Sequence, residues 1–212
     1  MVLKTPNIVF ILLRIAVHIG SALPILWLYF VAIPGDKLSS DPVQGLTHFL
    51  GLGAIRLLLL SLCITPIAKQ FKLGKLLRLR RPLGLWCFAY ATLHFSVWVI
   101  LDIQFDWGLI AGEIIERNYL LVGFLAWIIL LSLAATSIPV IQRAMRSSWK
   151  KLHNWIYLVA LLAPIHFFWS VKSEIIEPSV YIIFALVLLS LRYKTLLKHF
   201  KKNKNANSHH SK

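Results

Sequence analysis

Arg80–Asp102 reads RRPLGLWCFAYATLHFSVWVILD, and Leu152–Glu174 reads LHNWIYLVALLAPIHFFWSVKSE. Each runs from a basic edge through about 20 mostly apolar residues to an acidic edge, the length of a helix that crosses a hydrocarbon core. Each also carries one histidine far from either edge, His94 in the first and His166 in the second. Four more stretches share this character, so six spans are predicted at 8–33, 45–67, 83–103, 119–139, 152–171 and 178–197. Of the 212 residues, 58% are hydrophobic and only 15% are charged, too few charges for a soluble domain of this length. The runs lack the alternation of a transmembrane barrel strand. The expected fold is an all-α integral membrane protein, a six-transmembrane-helix bundle over residues 1–197 with a basic, mobile cytoplasmic tail at 198–212. The first run, Ile8 to Ile33, exceeds the apolar core of a signal peptide and has no small-residue cleavage pattern, so it reads as a retained anchor.

Charge sorts the connecting segments. Lys69, Lys72, Lys75, Arg78, Arg80 and Arg81 lie in one link, Arg143, Arg146, Lys150 and Lys151 in another, and Arg192, Lys194, Lys198, Lys201, Lys202 and Lys204 in the tail. Asp36, Asp41, Asp102, Asp106, Glu113, Glu116, Glu174 and Glu177 occupy the alternate links. Basic links stay in the cytoplasm, which puts both termini there. The formal net charge of +15 is explained by this pattern, with lipid rather than nucleic acid as the partner. Cys63 and Cys87 fall inside spans without metal-type spacing and read as packing thiols. No internal repeat of the transporter type is evident. Trp86, Trp107, Tyr119 and Trp149, near span ends, read as interfacial anchors.

An ionisable side chain inside a membrane is expensive and marks a functional site by default. Counted from Leu83, His94 lies about 11 residues into its span, or ~16 Å; counted from Lys151, His166 lies about 15 residues in, or ~22 Å. Helix tilt absorbs much of that difference. Two imidazoles at similar depth suit the axial positions of a haem, which brings its own four nitrogens. Zinc would want a third or fourth ligand, and no acid is placed within a span near this depth. The plain alternative is a pair of polar packing residues bonded across helices. Phe95, Trp98, Phe167, Phe168 and Trp169 offer flat apolar surface to a porphyrin, or equally to lipid.

His153 lies thirteen residues before His166, ~20 Å along a helix and far enough for a second redox centre. On an ideal helix the two side chains would be about 220° apart, although Pro164 can rotate the last turns. The residue fourteen before His94 is Arg80, so a second haem at His153 would need a different partner ligand. A structural interfacial histidine is the alternative. His18 can bond a carbonyl or line a quinone pocket, His48 reads as interfacial, and His199, His209 and His210 read as solvated. Arg56, in the middle of the second span, needs an anionic partner; a haem propionate or a flavin phosphate would supply one, and snorkelling is the alternative. Arg80 and Arg81 are explained by the positive-inside rule, with a phosphate or propionate contact as an additional role.

The two stretches quoted above, together with DPVQGLTHFLGLGAIRLLLLSLCITP (Asp41 to Pro66) and HIGSALPILWL (His18 to Leu28), resemble the MsrQ family. These are haem-binding membrane subunits of the bacterial periplasmic methionine sulfoxide reductase system. The resemblance covers nearly the whole chain. It implies a ferric-reductase-like transmembrane domain in the bacterial inner membrane, with one or two b-type haems and FMN near the cytoplasmic side. It carries haem ligation to His94 and His166 and haem association to His153. It also implies electrons arriving from the quinone pool or a cytosolic flavin reductase, and leaving to a periplasmic molybdopterin-containing catalytic subunit that repairs oxidised envelope proteins.

The residues agree with a carrier role. There is no Gly-rich dinucleotide fingerprint, catalytic nucleophile or acid/base pair, so substrate chemistry is expected to reside in a partner. The rival readings are a haem electron-transfer protein for another reductase and a six-helix transporter with pathway histidines.

Overall fold

The computed structural model describes residues 8–192 except 36, 37, 39, 172 and 173. The tail expected at 198–212, with His199, His209 and His210, lies outside the described residues, as does Asp36. Every regular element described is helical. Helix α1 (Ile8–Trp27) continues into a π-helical turn at Leu28–Ala32, and α2 covers Pro42–Gln70. A 3₁₀ segment (Gly74–Leu79) leads into α3 (Arg80–Val97), which ends on a second π-helical turn, Trp98–Asp102. Then follow α4 (Trp107–Glu116), α5 (Asn118–Ala135), α6 (Pro139–His153), α7 (Ile156–Ser170) and α8 (Ile176–Ser190).

Four continuous helical stretches are long and apolar enough to cross a membrane: Ile8–Ala32, Pro42–Gln70, Gly74–Asp102 and Asn118–Ala135. A fifth arises if α6 and α7, bent by 43° at their junction, make one broken span. By length and composition, then, four or five segments of the chain can cross a membrane. The sixth expected span corresponds to α8, whose 15 described residues rise only ~22 Å.

The expected fifth span needs correction at its start. Leu152 and His153 belong to α6, and the chain bends at Asn154–Trp155 before α7 begins. The single-helix projection that set His153 opposite His166 therefore does not apply. Helix α6 carries the basic residues Arg143, Lys150 and Lys151 and is itself interrupted at Arg146 (φ 47°, ψ −119°). Neither α4 nor the separate α6 was anticipated, because both lie in links read only for charge.

Local chemistry fixes the start of the longest helix. Asp41 is extended and its carboxylate accepts from the backbone N–H of Val43 (3.0 Å) and Gln44 (3.1 Å), with Pro42 in the first turn. This satisfies orphan donors and starts the helix on a residue that needs no N–H partner. Asp41→Ala is expected to cost about 1 kcal/mol, read as a lowered thermal midpoint of the detergent-purified protein. An unchanged midpoint would show that the cap does not limit stability.

The centre is two helical hairpins face to face. Helix α2 packs mainly on α3, and α5 on α7, while α8 covers α7 and α1 lies against α3. Leu58, Cys87, Ala126, Leu130 and Val159 form the buried core between the hairpins, with Ala91 and Ala163 beside them. Helix α1 is tied in by Tyr90, which is buried and donates its hydroxyl to the Ser21 carbonyl (2.8 Å). The Tyr90 ring lies where a side chain on Gly53 would have to go, so glycine at 53 lets α2 and α3 meet.

Candidate functional site

Above that core, between the same four helices, lies a cavity of about 570 Å³, within the range of cofactor sites. His94 enters it from α3 and His166 from α7, with ring centroids 6.1 Å apart and ring planes 86° apart. The His94 Nδ1–H donates to the Thr47 carbonyl of α2 (2.8 Å). The His166 Nδ1–H donates to the Tyr119 carbonyl of α5 (2.6 Å). A carbonyl only accepts, so the proton of each neutral ring is on Nδ1 and the lone pair is on Nε2. Neither Nε2 has a hydrogen bond among the described residues. Two imidazoles fixed in this tautomer by outer carbonyls are the arrangement a metal needs.

Size agrees with chemistry. A metal–imidazole bond of ~2 Å on each side puts the two ring centres ~6 Å apart, which the observed 6.1 Å meets. Among the described residues no third His, Cys, Asp or Glu joins them as a ligand group. A bare tetrahedral ion would be two ligands short. A metal carried in a planar macrocycle would not, and Phe95, Trp98, Phe124, Trp127 and Phe167 line the space around the imidazoles. Of the flat side chains expected there, Phe95, Trp98 and Phe167 do line the cavity, whereas Trp169 is exposed.

Two glycines set the approach of the rings. A Cβ on Gly51 would sit 3.1 Å from His94 Nδ1, and one on Gly123 would sit 2.6 Å from His166 Nδ1. These positions show a device that sequence inspection missed. His94 follows Gly51 by 43 residues and His166 follows Gly123 by 43; each carbonyl partner precedes its histidine by 47. At the same offset of 72 residues, Ala54, Leu58, Ala91 and Phe95 correspond to Ala126, Leu130, Ala163 and Phe167, and all eight line the cavity. The chain thus carries a hairpin repeat, distinct from the transporter-type repeat that was not expected. The α2–α3 and α5–α7 hairpins present one pattern twice, and the signal is Gly-x₄₂-His.

The remaining candidates lie elsewhere. His153 stacks on Trp149 (4.0 Å between centroids), and its Nε2 is 3.2 Å from the Thr136 hydroxyl. Trp149 also donates to the Thr136 carbonyl (2.9 Å), so it does more than anchor an interface. Arg81 bonds the Ser137 carbonyl. Arg80 is partly buried with an Nε that has no partner among the described residues. Arg56 is outside the cavity lining: its Nε donates to the Tyr181 hydroxyl (2.8 Å) and its Nη2 lies 3.7 Å from Glu177. The reading that no acid is available to Arg56 is corrected, because Glu177 lies in the first turn of α8, within reach of the Arg56 side chain. His48 pairs with the same carboxylate (3.8 Å) and also lines the cavity. His18 accepts from Trp86 Nε1 (3.0 Å) beside a shallow apolar groove.

Comparison with known proteins accounts for this architecture. Residues 50–164 match the family model described as ferric reductase like transmembrane component. Over 191 residues the chain is 47% identical to the protein-methionine-sulfoxide reductase heme-binding subunit MsrQ of Yersinia pseudotuberculosis serotype O:1b (strain IP 31758), covering 90% of this chain and 94% of that protein. The protein of the same name from Yersinia pestis (strain Pestoides F) shows the same identity and length, with 92% of it covered. The family match takes in Gly51, His94 and Gly123 and stops two residues short of His166, and the longer alignments extend over nearly the whole sequence. The chain is thus a member of the MsrQ family, built around a ferric-reductase-like transmembrane domain.

Proposed function

We propose that this chain is the haem-binding electron-transfer subunit of a methionine sulfoxide reductase system in the bacterial inner membrane. It would hold haem b between His94 and His166 and pass electrons outward to a periplasmic molybdopterin-containing catalytic subunit. The observation that carries this reading is the pair of imidazoles at 6.1 Å, each locked through Nδ1 to a carbonyl of the facing helix. The names carried by its relatives support it. A haem bound there supplies a one-electron ferric/ferrous couple.

The protein's own part is positional and electrostatic. Thr47 and Tyr119 hold each ring by Nδ1 and leave its Nε2 lone pair available, and Gly51 and Gly123 make room for the rings. Leu58, Cys87, Leu130 and Val159 close the floor with apolar surface, which excludes water and keeps the local dielectric low. Because both ligands are held before the metal arrives, a change of oxidation state requires little movement of the chain.

The same reading takes residues 1–197 as one six-span domain with both termini cytoplasmic and 198–212 as a tail, on the strength of the basic links. His153 is the residue proposed for a second haem. Its counterpart at the 72-residue offset is Arg81 rather than a histidine, so the second ligand must come from elsewhere. FMN is placed at the cytoplasmic end, where Arg80 has an Nε without a partner among the described residues and the sequence carries basic residues rather than carboxylates. The donor is the quinone pool or a cytosolic flavin reductase.

The test is a visible spectrum with pyridine haemochrome quantitation of protein purified from iron-sufficient cells. A strong Soret band and sharp reduced α/β bands are expected, and His153→Ala should lower a two-haem preparation to one. A colourless preparation overturns the haem reading, and an unaltered haem count in His153→Ala removes His153 from it.

A further inference from the structure

The outer wall of the cavity carries a polar cluster that the electron-transfer reading does not use. Arg56 sits 14 residues from either end of α2, and its side chain is 61% exposed. At that depth, exposure means contact with hydrocarbon rather than water. Lipid tails cannot hydrogen-bond, so a guanidinium rooted in the middle of a 29-residue helix needs polar partners from the protein or from a molecule dissolved in the bilayer. Yet Arg56, Glu177, His48 and Tyr181 converge there: Arg56 bonds Tyr181 and faces Glu177, and His48 faces the other carboxylate oxygen. Glu177 and His48 are also partly open, at 42% and 46% side-chain exposure. A lipid-facing group of acid, base and phenol is costly, and its natural occupant is a molecule that dissolves in the bilayer yet carries hydrogen-bonding oxygens.

The cluster also adjoins the paired imidazoles. Phe167 follows His166 in α7, lines the cavity, and has its ring 5.5 Å from that of His48 and 6.1 Å from that of Tyr181. Helical spacing places Leu60 one turn beyond Arg56 and Phe184 one turn beyond Tyr181, both exposed and apolar, as a track for a hydrophobic chain.

We infer that the lipid-facing surface of α2 and α8 formed by His48, Arg56, Glu177 and Tyr181, with Phe167 beside it, binds and oxidises a lipid-soluble hydroquinone. This rests on the electron-transfer reading and locates its donor site, on the outer side of the molecule's centre rather than near His153. Arg56 and Tyr181 donate to the ring oxygens. Each hydroxyl O–H bond breaks with its proton passing to the Glu177 carboxylate and on to the outer aqueous phase. A haem held by His94 and His166 would supply the one-electron acceptor for each electron, with Phe167 lying between it and the cluster. Two such steps convert the hydroquinone to quinone, with two protons and two electrons released.

The experiment uses full-length, haem-loaded protein in nanodiscs with two probes, ubiquinol and a photoreactive azido-ubiquinone. Light should attach the azidoquinone to peptides spanning 41–70 and 174–192, with labelling reduced in Glu177→Gln and Arg56→Gln. Stopped-flow reduction of the Soret band by ubiquinol should slow at least about 10-fold in Glu177→Gln, and measurably in Tyr181→Phe, while haem content and the dithionite-reduced spectrum stay as in the parent. Unchanged rates in both variants, or label beside His18 and Trp86 or near Arg80 and His153, overturn the assignment. So does absence of label with cross-linking of two copies through this surface. A protein that takes the label here but lacks haem would refute the electron-transfer reading while leaving the binding site standing, so the two failures are separable.

Discussion

His166→Ala is expected to strip the haem proposed between α3 and α7, with His94→Ala giving the same result. Each imidazole would supply one of two protein bonds to the metal, and among the described residues no other His, Cys, Asp or Glu is grouped with them to substitute. Loss of an outer-shell partner alone typically costs 10–100-fold in metal affinity, so loss of the ligand itself should cost at least about 100-fold. The measurement is haem per polypeptide by pyridine haemochrome, with size-exclusion behaviour as a check that the bundle persists. The core of Leu58, Cys87, Ala126, Leu130 and Val159 does not depend on either ring, so the variants should remain folded. Full retention of haem in both would end the assignment of these two residues.

The second large effect is expected at a residue that would touch no metal. In Gly123→Ala, the new methyl would sit 2.6 Å from His166 Nδ1, closer than carbon and nitrogen can approach without bonding. The ring must move, and its bond to the Tyr119 carbonyl is lost with it. That partner sets the tautomer and orientation of the ring, so haem affinity should fall about 10–100-fold. Gly51→Ala is the internal control. Its methyl would sit 3.1 Å from His94 Nδ1, a gap that a shift of a few tenths of an ångström relieves, so the loss should be smaller. Alanine is otherwise the better helix former by ~1 kcal/mol. A Gly123→Ala protein with higher thermal stability and a full haem complement would show that the close approach is unimportant.

The two glycines also mark where reading the sequence stopped. The histidines were legible because an imidazole in an apolar run is conspicuous by its cost, whatever surrounds it. Their similar depth was legible too, although the counting began at the wrong residues. Helix α3 starts at Arg80, three residues before the predicted span, and α7 starts at Ile156, after the chain has bent. Counted from those starts the difference in depth changes sign. What brings the rings to 6.1 Å is the matched packing of the two hairpins. That pattern is spread thinly at an offset of 72 residues among positions with small or apolar side chains. Such residues carry no signal singly, since glycine, alanine and leucine are ordinary in any membrane helix.

Arg56 shows the opposite case. The sequence required an anion for it and found none, because Glu177 was counted as belonging to a loop. The start of α8 at Ile176 puts the carboxylate beside His48 and within reach of the Arg56 side chain, and the ion pair follows from helix placement rather than from sequence separation. Hydropathy and charge alone decided that this chain is helical, membrane-embedded and sorted into basic and acidic sides, since those properties are sums over many residues and tolerate errors in any one. Which nitrogen of each imidazole carries the proton, which carbonyls hold it there, and which acid meets Arg56 were decided only when four helices packed together. Hydrogen bonds act over about 3 Å, and only the three-dimensional arrangement fixes positions that finely.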